Sequence, residues 1–276
     1  MKLGLHQVTA NELDPIDLIE LAASVGCEEV CLFTHIPAAA LPDDAGQILF
    51  PLVTPEKVVS TKSALDCHGI AVGNAEFFPI AADVDVEIYR SGFEVAAAIG
   101  ARSAVTHVHD PDDARAVAGL GRLCDLAAEY DLRLGLEFMG ITPACASIER
   151  AAWFVQQVGR ANIGIGVDAL HLVRTGGTPA DVLKVPASLF AYAQICDGAG
   201  LHVTQDYFSE AFERMLPGDG DFPLADLVAA LPVGIAVDVE VPSAQRIAAN
   251  GSPLDFAREA VGRSRELLAA IGKRAR

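Results

Sequence analysis

Four side chains that offer oxygen donors, Glu137, Asp168, Gln194 and Glu240, each stand at the C-terminal end of a short apolar run: RLGLEF, IGIGVDALH, LFAYAQICDG and GIAVDVEVP. A charge inside such a run is costly to bury unless it is paired or bound to a metal, and three carboxylates repeat that anomaly in the same position. Two Glu carboxylates, one Asp carboxylate and an amide oxygen form an all-oxygen set suited to one hard divalent cation, Mg²⁺ or Mn²⁺, with Co²⁺ as a further option. The chemistry expected of such a set is polarisation of a substrate carbonyl or hydroxyl, so that a neighbouring C–H yields its proton to a protein base.

Further candidates surround these four. His171 lies three residues beyond Asp168 in DALHLVRTGG, so the two share one site if the chain turns helically there. Its imidazole can move a proton near neutral pH, which makes it the expected catalytic acid or base, with Glu137 and Glu240 as the other catalytic candidates. His107 and His109 close the fourth apolar run in THVHD, and strand alternation suggests that one of them lines the pocket. Glu76 in NAEFFPI and His35 in LFTHIP are pocket candidates, whereas His6 and His68 read as structural. Arg214, in ERMLPGDGDFP, either clamps a substrate oxygen or anchors its own loop. Asp197, three residues after Gln194, either orients a ligand or caps the following loop.

These residues need a scaffold that brings strand ends together. The chain reads as eight strand–helix repeats, the count that closes a parallel (β/α)8 barrel whose active sites sit at the C-terminal mouth. The strands are KLGLH, EVCLF, IAVGNAEF, SAVTHV, LRLGLEF, IGIGVD, LFAYAQICD and GIAVDVE. Helices are expected over 14–25, 55–67, 85–99, 111–129, 147–158, 179–183, 224–231 and 254–271, with Ser147 beside a cap. An open doubly wound sheet would need a Gly-rich phosphate loop after its first strand, and KLGLHQVTANELD has none. No hinge or low-complexity tract divides the 276 residues, so residues 1–276 are expected to form a single barrel domain.

Composition narrows the function classes. The net charge of −17, from 20 basic and 37 acidic residues, repels nucleic-acid phosphates. No apolar run reaches the roughly 18 residues of a membrane helix, and the N-terminal segment reads as neither signal nor transit peptide. Six dispersed cysteines, Cys27, Cys31, Cys67, Cys124, Cys145 and Cys196, with no C-x-x-C pair, suit packed thiols in a cytoplasmic protein. A small-molecule substrate is the partner expected, with no nucleic acid and no membrane; homo-oligomerisation is left open.

The motifs LEF with Glu137, VDALH with Asp168 and His171, QICDG with Gln194, RMLPGDGDFPL, and VDVEVP with Glu240 resemble those of the xylose-isomerase-like barrel superfamily over nearly the whole chain. That resemblance implies one divalent metal held at Glu137, Asp168, Gln194 and Glu240, and a substrate beside His171. It also implies enolisation of a small polyhydroxy carbonyl compound. Sugar epimerases of the superfamily usually have His where Gln194 stands. Bacterial 3-dehydroshikimate dehydratases can carry Gln there and have a similar Arg-x-x-Pro-Gly loop, so the resemblance leans toward a dehydratase. Here Ala211, Phe212 and Glu213 precede Arg214 instead of the basic cluster of those enzymes. The alternatives are a ketose isomerase or epimerase, including hydroxypyruvate isomerase-like enzymes, and a non-catalytic sugar-binding barrel. The apurinic-site endonucleases of the superfamily need more histidines and a less acidic chain.

Overall fold

The computed structural model describes residues 1–37, 50–202 and 206–274. Strands β1 (Leu3–His6), β2 (Glu29–Phe33), β3 (Ala71–Glu76), β4 (Ser103–Thr106), β5 (Arg133–Glu137), β6 (Ile163–Asp168), β7 (Phe190–Ile195) and β8 (Val237–Val239) pair in chain order. Strand β8 pairs in parallel with β1 and closes the barrel. Leu5, Leu134, Ile165 and Val237 of the strands share one continuous apolar cluster with helix residues such as Leu18, Leu123, Phe154 and Phe256. Each such side chain, wholly removed from water, contributes about 1.5–3 kcal/mol before entropy is counted.

The helices are α1 (Pro15–Ser24), α2 (Val58–His68), α3 (Arg90–Ala98), α4 (Asp113–Ala128), α5 (Ile148–Val158), α6 (Ala169–Arg174), α7 (Pro179–Val182), α8 (Tyr207–Ala211), α9 (Leu224–Ala230), α10 (Ala244–Asn250) and α11 (Pro253–Arg274). Their starts follow from local chemistry. Asp14 caps α1 and Asp112 caps α4 through side-chain oxygens, and Ser147 accepts the Arg150 amide at 3.2 Å to open α5. Gly159 ends α5 with a φ of +61°, a left-handed turn that costs a glycine little. Three short helices depart from the expectation. The segment after β6 holds α6 as well as α7, while α8 and α10 fall in stretches read as loop or strand end. All three have at most seven residues, too few for hydrophobic periodicity to register.

Period-two alternation along β5 and β6 decides what enters the barrel. Arg133, Gly135 and Glu137 alternate on one face, as do Gly164, Gly166 and Asp168 on the next. A Cβ on Gly135 would lie 2.2 Å from the Tyr192 ring, and one on Gly166 would lie 2.4 Å from it. The glycines therefore make room for Tyr192 of β7, which is wholly buried and donates its hydroxyl to Glu137 Oε2 at 3.2 Å. Residues two steps further along each strand emerge at the mouth. All six cysteines are free; five are buried, but Cys67 is exposed rather than packed. Among the described residues no helix is long and apolar enough to cross a membrane.

Candidate active site

Adjacent strand ends bring the acidic residues together. Register pairs Asp168 of β6 with Gln194 of β7, and Glu137 of β5 with Gly166 beside it. Glu137, Asp168 and Glu240 are buried, and each presents an oxygen within 4.8 Å of the others. Two acceptors in this cluster, Gln194 Oε1 and Glu240 Oε2, are buried without a hydrogen-bond partner. An unsatisfied buried acceptor costs about 1–3 kcal/mol, so the arrangement fits an oxygen-coordinated cation on the chemistry of its donors and on these two orphaned atoms.

Arg214 supplies the permanent positive charge. Its Nη1 donates to Asp168 Oδ2 at 2.7 Å and its Nη2 lies 3.1 Å from Glu240 Oε1. Its Nε donates to the Ala211 carbonyl at 3.0 Å, and Asp168 and Glu240 hold the guanidinium pKa well above its ordinary value despite burial. The arginine thus clamps the chain's own carboxylates and anchors its loop at once. One guanidinium does not neutralise three carboxylates. Burial, reinforced by Asp168 and Glu137, raises the Glu240 pKa to about 7 even though Arg214 and His6 oppose it.

Glu137 lies among donors. Burial alone would raise its pKa, but the His107 and His171 rings hold it well below the ordinary range. His171 Nε2 is 3.2 Å from Glu137 Oε1, and His107 Nε2 is 3.6 Å from Oε2. Asp168 positions His171 by capping α6, accepting the His171 amide at 2.9 Å, which is the helical turn that places the two in one site. His171 Nδ1 bonds the Tyr207 hydroxyl, whose oxygen accepts the Gly140 amide. A neutral His171 therefore takes the Tyr207 proton on Nδ1 and directs Nε2–H at Glu137. Burial lowers the His171 pKa, yet Asp168 and Glu137 bring it above its ordinary value.

A cavity of about 390 Å³ opens over these groups. Glu76, His107, His109, Glu137, His171, Gln194, Arg214 and Glu240 line it. Both His107 and His109 reach it because they lie past the end of β4, where strand alternation no longer separates them. Asp168 sits beneath Arg214, fully buried. Two expected pocket residues lie elsewhere. His35 stacks on Phe78 and meets Tyr89 edge-on. Asp197 accepts the amides of Gly198, Gly218 and Phe222 on its two carboxylate oxygens, so it caps the PGDGDFP loop and is not among the described residues that line the cavity.

Several residues of the site escaped sequence reasoning. His6, read as structural, lines the cavity and joins Cys31 and Glu76 in a second buried trio with ligand atoms within 4.8 Å. That trio satisfies itself: the Val8 amide donates to His6 Nδ1, and His6 Nε2 and Cys31 Sγ both lie 3.2 Å from Glu76 Oε1. Tyr192 and Tyr207, which hold Glu137 and His171, carried no signal beyond lying on β7 and in the loop after it.

A closed parallel barrel of eight strands with its acidic cluster at the C-terminal mouth is a TIM barrel. Residues 19–268 match the model of the xylose isomerase-like TIM barrel family, and the chain belongs to it. A 3-dehydroshikimate dehydratase of Pseudomonas aeruginosa is 29% identical over 110 residues, covering 40% of this chain and 17% of that protein. An inosose isomerase of Halalkalibacterium halodurans is 29% identical over 117 residues, covering 41% and 39%. Each match thus spans less than half of the relative's length. The structure of the IolI protein with a bound zinc atom superposes with a TM-score of 0.76 at 18% identity, over 98% of both chains. D-psicose 3-epimerase in the presence of D-fructose gives 0.75 at 16% identity, over 97% of this chain and 99% of that one. At such identity the likeness is one of fold.

Proposed function

We propose that this protein is a divalent-metal-dependent enzyme that removes a proton beside the carbonyl of a small hydroxy-carbonyl substrate, as a lyase of the dehydratase type. The observation that carries the reading is the buried oxygen set with its two unpartnered acceptors, Gln194 Oε1 and Glu240 Oε2, next to a histidine held through both ring nitrogens. Glu137, Asp168, Gln194 and Glu240 would hold the cation, which when bound would draw electron density from the substrate carbonyl and acidify the adjacent C–H.

The protein's own groups divide the remaining work. Glu137 is engaged by His171 through one oxygen and by Tyr192 through the other, whereas Glu240 keeps Oε2 free. Glu240 would thus hold the cation through one oxygen and leave the other to take the proton. His171, protonated on both ring nitrogens, gives its Nε2 proton to the departing hydroxyl, which leaves as water, and the ring is left neutral with Nδ1 still bonded to the Tyr207 hydroxyl. Arg214 keeps Asp168 and Glu240 in position throughout.

An isomerase or epimerase reading rests on Glu137 and Glu240 lying in the same cluster; there the proton returns to carbon and no water is lost. Incubation with Mn²⁺ in D₂O against a panel of 3-dehydroshikimate, inososes, hydroxypyruvate, ketohexoses and hydroxy ketones that carry an uncharged ring separates the readings. Metal-dependent loss of water supports the lyase, and deuterium gained at carbon without loss of water supports the isomerase. Absence of either with every compound would leave the non-catalytic barrel.

A further inference from the structure

The cavity has two unlike halves. Eleven of the twenty described residues that line it are apolar, and five of the chain's twelve phenylalanines are among them. Phe33 stacks on Phe50 with ring centres 4.5 Å apart and meets Phe77 edge-on at 6.2 Å. Phe208 and Phe212, 5.1 Å apart, stand at the rim with 63% and 44% of their surface exposed. Large apolar side chains left facing water around a polar floor mark a surface meant to be covered.

The polar half offers hydroxyl partners only at its floor, in carboxylates, histidines and Gln194. Among the described lining residues none is Ser, Thr, Asn or Lys, and the single amide, Gln194, belongs to the oxygen set. The one guanidinium, Arg214, is taken up by Asp168, Glu240 and the Ala211 carbonyl. His109 is neutral, since burial and the neighbouring His107 push its pKa down to about 4. A polyol that reached past this floor would lay its hydroxyls against phenylalanines, and a carboxylate would meet no unpaired guanidinium or ammonium among the described lining residues; both are costly.

We infer that the substrate joins its enolisable hydroxy-carbonyl head to an uncharged aromatic or alicyclic body, which lies against Phe33, Phe50, Phe77, Phe208 and Phe212. The inference rests on the proposed function for the head and on the apolar wall for the body. It separates this chain from enzymes whose substrates are open-chain sugars or ring carboxylates.

Hydroxamates chelate divalent ions and test the two halves separately. Calorimetry on the Mn²⁺-loaded full chain would compare acetohydroxamate, phenylacetohydroxamate, its 4-carboxyphenyl analogue and gluconohydroxamate. Phenylacetohydroxamate should bind about tenfold or more tightly than the other three. Phe212→Ala and Phe77→Ala should each cut that advantage to below about threefold while leaving acetohydroxamate unchanged. Equal or tighter binding of the gluconate or carboxyphenyl compound, or an advantage that survives both substitutions, overturns the inference. If acetohydroxamate shows no Mn²⁺-dependent binding, the metal reading fails by itself. Saturation-transfer NMR with benzyl alcohol and glycerol then decides the body: a benzyl alcohol signal that disappears in Phe212→Ala supports it, and a signal from glycerol alone overturns it.

Discussion

The two mouths of the barrel carry opposite imbalances of charge. At the N-terminal mouth Glu29 is held by Lys2 at 3.1 Å and Arg102 at 2.5 Å. Burial would raise its pKa, yet those two cations bring it below the ordinary range. Arg133, in the same cleft, has no ion-pair partner among the described residues. At the C-terminal mouth Glu137, Asp168 and Glu240 cluster beside one guanidinium, Glu76 pairs with His6, whose pKa burial would lower but Glu240 and Glu76 raise to about 9, and Glu240 is pushed up to about 7. The contrast separates one carboxylate held by two cations from three carboxylates clustered beside one guanidinium. Burying acid is compatible with either role; what marks the functional end is acid without enough partners.

Substitutions at matched positions should sharpen that contrast. Glu137→Gln at the C-terminal mouth should lower kcat/KM by about 10³-fold, whereas Glu29→Gln should leave it within a few-fold, as steady-state rates on the substrate found by the panel would show. Arg214→Ala leaves Asp168 and Glu240 buried without their counter-charge and should destabilise the metal-free protein by about 3–5 kcal/mol in urea unfolding. Arg102→Ala, whose side chain is 48% exposed, should cost about 1 kcal/mol or less. Equal losses at the two mouths would erase the distinction. Gly135→Ala drives a methyl into the Tyr192 ring and should cost about 1–3 kcal/mol; a neutral outcome would mean that Tyr192 has room to retreat from Glu137.

The smallest predicted effect is a slope with pH. Glu240 must lose its proton before it binds a cation, so metal affinity should rise about tenfold per pH unit up to about 7 and flatten above. In the metal-free protein the sign reverses. A carboxyl raised from 4.5 to about 7 on folding binds its proton more tightly in the native state, so its contribution to stability falls as pH rises across that window. Urea midpoints with and without Mn²⁺ between pH 5 and 8 would show the two trends crossing.

The barrel was legible because each strand announces itself by a run of apolar residues bounded by turn chemistry, and eight such runs leave few other closures. The acidic cluster was legible for a related reason: Glu137, Asp168 and Glu240 interrupt apolar runs at the same topological point. What the sequence hid depends on distance in the chain. Asp168 and Arg214 meet across 46 residues and Glu137 and Tyr192 across 55, and no local pattern encodes such encounters. His35 was misplaced, and Asp197 took the loop-capping alternative of its two readings, for the converse reason. Their positions after strand ends looked like site positions, but loop amides captured the first and an aromatic cluster the second.

Glu137, Asp168, Gln194 and Glu240 at the C-terminal mouth are proposed to bind one divalent cation. Titration of the metal-free chain with Mn²⁺ at pH 7.5, followed by electron paramagnetic resonance of the free ion, tests this directly. One Mn²⁺ per chain in wild type, its affinity reduced about 100-fold or more in Asp168→Asn and unchanged in Glu29→Gln, is the result predicted. Absence of stoichiometric binding, or binding that Asp168→Asn leaves intact, would contradict it.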